Sequence, residues 1–475
     1  MYPVRISHQS TTAKKAEYYM SKFIKTMLLI GTLVLVAGCA SERTVLQTPS
    51  ESTLIEHESE DYSSQILNRN SNSSANSITI GDTLSYRTAL AKTLLDNPAL
   101  QSYAWQVRVK EAERIQAALL PNPELEAEME NFGGTGPFEG YDSRETTIRL
   151  SQQVLLGADR MKRNRLAGLT TELASWDYET QRLNTLTGLT QAYTSALEAQ
   201  LQWEQQKELL DVARQFYESV SAQVEAGKVS KLEQTKAQVE LSRARIDLEN
   251  RRNARQSAFT TLASFWGSDQ VSFTSLKGEL NMPDSIPNYQ SMAEFIERNP
   301  DVARWTTEIQ QREASLSFER SKAIPDIKLS GGYRWMEDIG AEAAIVGVSI
   351  PLPFFDRNQG NVKAARYELN RAETLRESAR IEVQKALQNS FNKLQAALYE
   401  VRQLQSEVLP GAKTAYEAAQ SGYRQGKFDF LEVLDAQRTL FSSRTRYVQA
   451  LAELNRAIAN VERLIGTPLN EISTN

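Results

Sequence analysis

The sequence predicts a mainly α-helical chain that contributes four strands to a membrane β-barrel and carries two very long helical hairpins. Three observations lead there: an internal repeat, a strand of strict acid–apolar alternation, and helical runs too long for a compact domain. Asn97-Pro98 recurs as Asn299-Pro300 and Pro123 recurs as Pro325, both 202 residues on. Gly227 recurs as Gly426, 199 residues on, and each is followed 40 residues later by a further glycine, Gly267 and Gly466. One register kept from Asn97 to Gly466 marks two similar halves that build one elongated object.

The chain has 475 residues, a formal charge of −5 and 24% charged residues. That surface is well hydrated and gives no reason to propose nucleic acid as a partner. Cys39 is the only cysteine, so no intrachain disulfide can form. Lys22 and Lys25 precede an apolar run, Met27 to Ala37, that ends in Val36-Ala37-Gly38-Cys39. A basic stretch, a short apolar core and a small-residue cleavage site make a signal segment over 1–38. The order Val-Ala-Gly-Cys resembles a bacterial lipoprotein signal, which predicts acylation of Cys39; the plain alternative is an ordinary buried thiol. Met20 is an alternative start. Cleavage removes five basic residues and one acid, leaving a charge of −9. No stretch after residue 39 reads as a spanning helix, so any membrane crossing falls to strands.

Residues 39–78 are polar, with Ser71, Asn72, Ser73, Ser74 and Asn76 clustered, and read as a tether. The first repeat is placed at 79–282, the second at 283–468, with a short tail over 469–475. Helical pattern begins near Thr83, and Pro98 opens a second helix that stops before Pro121 and Pro123. Next comes a strand from Pro123 to Phe132 in which Glu124, Glu126, Glu128 and Glu130 alternate with Leu125, Ala127 and Met129. Period two puts carboxylates on one face and apolar groups on the other. A glycine-rich loop leads to a second strand from about Arg144 to Leu155. The second half repeats this with strands near Asp326–Trp335 and Ala343–Leu352.

From Gly157 to Gly227 the chain reads as one helix, with Leu166, Leu169, Leu173, Trp176, Leu183, Leu186 and Tyr193 along its seam. About 70 residues would reach roughly 100 Å. The matching leg, Phe355 to Gly426, is expected to be interrupted near Pro410-Gly411, and both return legs are shorter. Four strands cannot close, and open edges are not tolerated in lipid, so several chains must share one barrel. The carboxylates of the first strand then line water while its apolar residues face lipid. An ordinary half-exposed strand in a soluble sandwich is the alternative.

The helix-tip segments Tyr416–Gln437 (YEAAQSGYRQGKFDFLEVLDAQ) and Tyr217–Gln238, with the repeated strand-to-helix entries, resemble the TolC-type outer-membrane efflux ducts. The resemblance spans about residues 80 to 468. Two stretches are similar to the cobalt–zinc–cadmium (CzcC-like) branch. They are PNPELEAEMENFGG at 121–134 with RETTIRLSQQVLLGADR at 144–160, and GVSIPLPFFDRNQGNVKAA at 347–365. The resemblance implies a homotrimer with a twelve-stranded barrel in the outer membrane and a helical tunnel across the periplasm. It implies a passive conduit for heavy-metal cations, served by a periplasmic adaptor (membrane fusion protein) and an inner-membrane RND-type pump. A duct for drugs or other organic compounds is the nearest alternative. A non-conducting periplasmic coiled-coil scaffold is the alternative of a different class.

By the same resemblance, Glu432 and Asp435 take the place of acids that close the periplasmic tip. Glu233 stands six residues after Gly227, as Glu432 does after Gly426. This chain has Glu at 432 where better-known members have Asp. Three apart on a helix, Glu432 and Asp435 share a face, and a trimer would gather six such carboxylates round one axis. Tyr423 matches a tip tyrosine whose partner here would be Glu233, a candidate latch; otherwise it is a packing residue. Adaptor contact is implied at the turns, Gly227-Lys228 and Gly426-Lys427. Catalysis finds no support: the only histidines are His8 and His57, and no phosphate loop or nucleophile–base set is present. No cofactor and no dedicated metal site are expected, since tight binding would impede conduction.

Overall fold

A computed structural model describes residues 81–472. The signal segment, Cys39 and the tether over 39–78 lie outside the described residues.

Each half is a long helix flanked by two shorter ones stacked end to end. In the first half the long helix is α3 (Asp159–Glu225), 67 residues, and the flanking pair are α2 (Pro98–Ala117) and α4 (Lys231–Ser264). In the second, α7 (Gln359–Gln403) and α8 (Leu409–Arg424) form the long leg, against α6 (Pro300–Ser321) and α9 (Phe430–Ile465). The repeated Asn-Pro and glycine residues meet at the two splices. Asn97 accepts from the Leu100 N–H at 2.9 Å as N-cap of α2, and its amide donates to the Phe265 carbonyl at 2.7 Å, at the end of α4. Asn299 accepts from the Asp301 N–H at 2.8 Å and donates to the Leu464 carbonyl at 2.8 Å, at the end of α9. One asparagine thus satisfies a helix start and a helix end together. Gly267, at φ +71°, lets the chain turn there, and a Cβ on it would stand 3.2 Å from the Pro98 ring.

Two differences from expectation concern local chemistry. The chain is not helical from Thr83: β1 (Thr83–Ser85) comes first, because the Ser85 hydroxyl accepts from the Thr88 N–H and caps α1 (Tyr86–Asp96). β1 pairs in parallel with β4 (Ser275–Lys277), whose register follows from residues 192 apart. The Tyr193 hydroxyl sits 3.0 and 2.6 Å from the Leu84 and Lys277 carbonyls, tying both short strands to α3. Its burial pushes that phenol up to about 12. The Pro410 interruption is a π-helical turn, Leu404–Val408, and the helix then runs on as α8. Pro410 has no N–H, and its ring would press on the Ser406 carbonyl in a straight α-helix; the wider turn relieves this.

The core lies at mid-length. Leu387, Leu394, Val401, Leu454, Val461 and Ile465 are fully buried between α7 and α9, with Met292 from the short helix α5 (Tyr289–Ala293). Leu84, Leu189, Phe259 and Leu262 form its counterpart in the first half. Each such side chain contributes about 1.5–3 kcal/mol of burial.

The strands β2 (Glu124–Glu130), β3 (Glu145–Val154), β5 (Ile327–Met336) and β6 (Ala341–Ser349) form one antiparallel sheet in the order β2-β3-β5-β6. β2 and β6 are its edges, unpaired within the chain. Register separates two faces. One carries Leu125, Ala127, Met129, Ile148, Leu150, Leu329, Tyr333, Trp335, Val346 and Val348, with a single carboxylate, Glu342, that accepts from the Tyr333 hydroxyl at 2.6 Å. The other carries Glu124, Glu126, Glu128, Glu130, Glu145, Arg149, Lys328 and Arg334. The apolar face is solvent-exposed in the single chain, with Val346 86% and Leu125 73% exposed.

Candidate functional site

Two regions hold the residues singled out from sequence: the polar face of the sheet and the tip of the helical hairpins, at opposite ends of the long helices.

On the sheet, the four carboxylates of β2 do stand on one face, but they do not form a bare acidic ladder. Glu124 is 2.6 Å from Lys328 Nζ, Glu126 is 3.3 Å from Arg149, and Glu130 is 3.6 Å from Arg334. Arg334 also bridges Glu145 at 2.9 Å. Glu128 has no ion pair among the described residues. Cross-strand opposite charges stabilise such a sheet modestly at this exposure. The sequence signal for these cations is parity: Arg149, Lys328 and Arg334 occupy the same alternation as the acids once the strands are in register. Five carboxylates against three cations leave the face acidic by two charges per chain.

At the tip, both turns are built alike. Gly227 and Gly426 take φ of +67° and +71°, in the left-handed region that favours glycine. Lys228 N–H donates to the Gln223 carbonyl and Lys427 N–H to the Gly422 carbonyl, each at 2.8 Å, closing the ends of α3 and α8. The Phe428 ring lies where a Cβ on Gly422 would be, so the second turn folds over a glycine in the helix it leaves. Asp429 caps α9: its carboxylate accepts from the Leu431 and Glu432 N–H groups at 2.8 and 3.1 Å. Glu432 returns the bond, accepting from the Asp429 N–H at 3.1 Å. This reciprocal box engages one of the two expected gate acids with its own backbone. The Asp-Phe-Leu-Glu spelling carries that signal. In the first half, Ser230 and Glu233 hold the same positions, but Ser230 makes no side-chain cap bond.

Asp435, one turn further along α9, lines a groove of about 420 Å³ between α4 and α9, together with Lys236, Glu240, Arg243 and Arg438. Arg438 pairs with Glu240 across that groove, and Arg444 pairs with Glu208 at 3.0 Å. These ion pairs, with Arg456–Glu198 at 2.9 Å, run up the seam where α9 crosses onto the first hairpin. The apolar contact at the tip is aromatic: Phe216 stacks on Phe430 with centroids 4.9 Å apart and packs beside Tyr423 at 6.0 Å.

Tyr423 and Glu233 are not joined by a hydrogen bond. The Tyr423 hydroxyl is buried without a partner. Burial raises its pKa, and the Glu233 carboxylate raises it further, so the phenol stays protonated. The hydroxyl is held in the aromatic cluster with Phe216, the packing arrangement that was the alternative to a latch on Glu233.

Among the described residues no helix is long and apolar enough to cross a membrane, and no three His, Cys, Asp or Glu side chains converge as metal ligands.

The family model described as outer membrane efflux protein matches residues 89–268 and 292–467. The cobalt-zinc-cadmium resistance protein CzcC of Cupriavidus metallidurans is 32% identical over 383 residues, covering 81% of this chain and 90% of that protein. The nickel-cobalt-cadmium resistance protein NccC of Alcaligenes xylosoxydans xylosoxydans is 25% identical, covering 66% of this chain and 70% of that protein. Among solved structures, the Campylobacter jejuni CmeC outer membrane channel superposes with a TM-score of 0.70 at 15% identity, covering 89% of this chain and 90% of that one.

Proposed function

From the fact that this chain belongs to the outer membrane efflux protein family, we propose that it is the outer-membrane duct of a tripartite pump that exports heavy-metal cations. The observation that carries the reading is the sheet. It has one apolar and one acidic face and two unpaired edges, and it stands at the end of helices roughly 100 Å long. Three copies joined β2 to β6 close twelve strands, with the apolar face toward lipid and the acidic face toward the bore. The naming of two matched relatives for resistance to divalent metals supports the cargo.

The tip is the gate and the adaptor-docking end in this reading. The Gly227-Lys228 and Gly426-Lys427 turns present the contact surface for the periplasmic adaptor, and an inner-membrane pump delivers cargo through it. Asp435 supplies the charge that acts on passing cations, while Glu432 keeps the first turn of α9 closed through its cap. Glu233 and Tyr423 belong to the contact between hairpins. Cys39 anchors the chain by acylation ahead of the 39–78 tether.

Single-channel conductance of the purified trimer in a planar bilayer tests this. A cation-selective pore is expected, with Asp435→Asn weakening selectivity and Glu432→Gln mainly raising the frequency of open events. Folded trimer that conducts nothing would leave a scaffold. Restoration of drug tolerance without metal tolerance, in cells supplied with the matching pump and adaptor, would reassign the cargo to organic compounds.

A further inference from the structure

Four helix ends meet the sheet in one layer. Arg160 donates to the Ala118 carbonyl at 2.6 Å and Arg163 to the Ala117 and Leu119 carbonyls at 2.7 and 2.8 Å, fixing the end of α2 to the start of α3. Gly157 lies against the Ser321 carbonyl and Ile324, which brings in the end of α6. The Asn358 amide donates to the Glu319 carbonyl at 2.7 Å and adds the start of α7.

This layer carries two features that folding alone does not call for. Phe354 and Phe355, in the connector from β6 to α7, are 73% and 92% exposed, beside exposed Leu352. Lys162 and Arg165 lie in the first turns of α3, where the helix dipole is unfavourable to cations, and Arg357 lies just before α7. Arg160 and Arg163 are employed as caps; Lys162, Arg165 and Arg357 have no ion pair among the described residues.

We propose that this layer is a collar for anionic phospholipid of the membrane leaflet that faces the helices. The phosphate headgroup would be held by Lys162, Arg165 and Arg357, and the upper acyl chains by Leu352, Phe354 and Phe355. Exposed Arg165 and Arg357 and half-buried Lys162, in the layer that also carries the exposed Phe354 and Phe355, match a lipid interface in both charge and polarity. The proposal rests on the duct reading, because only a membrane-embedded sheet brings this layer to a leaflet.

Native mass spectrometry of the full-length trimer, released from vesicles of equal parts phosphatidylglycerol and phosphatidylcholine, tests it. Retained lipid is expected to be enriched in phosphatidylglycerol by about fivefold per engaged cation at low salt. Lys162→Gln/Arg165→Gln/Arg357→Gln should abolish most of the enrichment while leaving single-channel conductance at the wild-type value. That conductance separates failure of the collar from failure of the duct. Should the triple variant not assemble, the wild type still decides, since its enrichment must fall as salt rises. Equal retention of both lipids, enrichment that survives the triple variant, or capture of inorganic phosphate without lipid enrichment would overturn the proposal. So would Phe355→Ser dissociating the trimer with lipid preference intact, which would make these rings a contact between copies.

Discussion

The Tyr423 hydroxyl is the atom at the tip whose surroundings fit its chemistry least. It is buried and without a partner, and that burial, with the nearby Glu233 charge adding to it, keeps it protonated. Removing an unsatisfied buried hydroxyl relieves a desolvation cost, whereas removing half of a bonded latch loosens the tip. Tyr423→Phe is therefore expected to leave closed-state conductance unchanged and to hold or slightly raise the temperature at which the trimer dissociates. A leakier, less stable trimer would restore the latch. Glu462, near the end of α9, is a second misplaced group: burial raises its pKa above 4.5, the Leu469 N–H bond lowers it, and Glu471 raises it again. A carboxyl whose folded pKa is raised binds its proton more tightly folded than unfolded, so stability falls as pH rises from about 4.5 through the folded value. Glu462→Gln should accordingly raise the melting temperature at pH 7, with the gain shrinking toward pH 4.5; a gain that does not change with pH would point to packing instead.

The two splices are the elements on which the long hairpins depend. Asn97 and Asn299 each cap one helix and satisfy the end of another, so Asn97→Ala or Asn299→Ala should cost about 1–3 kcal/mol. Hydrogen exchange should show the loss at both joined ends, around Leu100 and Gly267 or around Asp301 and Gly466, while the tip keeps its protection. Loss at the N-cap alone would mean that the carbonyl bonds contribute nothing. These joints show what was legible in the sequence. Asn97 with Asn299, and Gly267 with Gly466, stood out by spacing, yet that Asn97 meets the Gly267 turn and Asn299 the Gly466 turn is a tertiary fact no local rule supplies. β1 and β4 escaped notice for the same reason: three residues each, 192 apart in register, they exist because Tyr193 and the Phe259 cluster hold them. The glycine turns were readable because a positive φ demands little beyond glycine. At Glu432 the spacing from Gly426 drew attention to a gate, while Asp-Phe-Leu-Glu also spells the capping box that the structure shows. At Pro410 the break was anticipated but its form, a π turn inside a continuing helix, depends on neighbours that only packing shows.

At the scale of the molecule, the sheet decides whether the chain is a conduit, and its charge balance decides what kind. Alternation along β2 revealed the acids, but the cations opposite them come from β3 and β5, and pairing those strands needs register across both halves. Each chain presents five carboxylates against Arg149, Lys328 and Arg334, a surplus of two, which three chains would raise to six around one bore. Such a surplus favours cations without a tight site, and its effect weakens as salt shortens the range of the field. Lys328→Gln/Arg149→Gln frees Glu124 and Glu126 from their partners and doubles the surplus. The double variant should shift the reversal potential under a salt gradient toward the potassium limit, most at about 0.01 M salt and little at about 1 M. Exposed pairs are worth only about 0–1 kcal/mol each, so the trimer should still assemble. An unchanged reversal potential at low salt, in a variant that conducts, would show that current passes a narrower filter elsewhere. Asp435, in the tip groove between α4 and α9, would then be the next group to test for where cations are chosen.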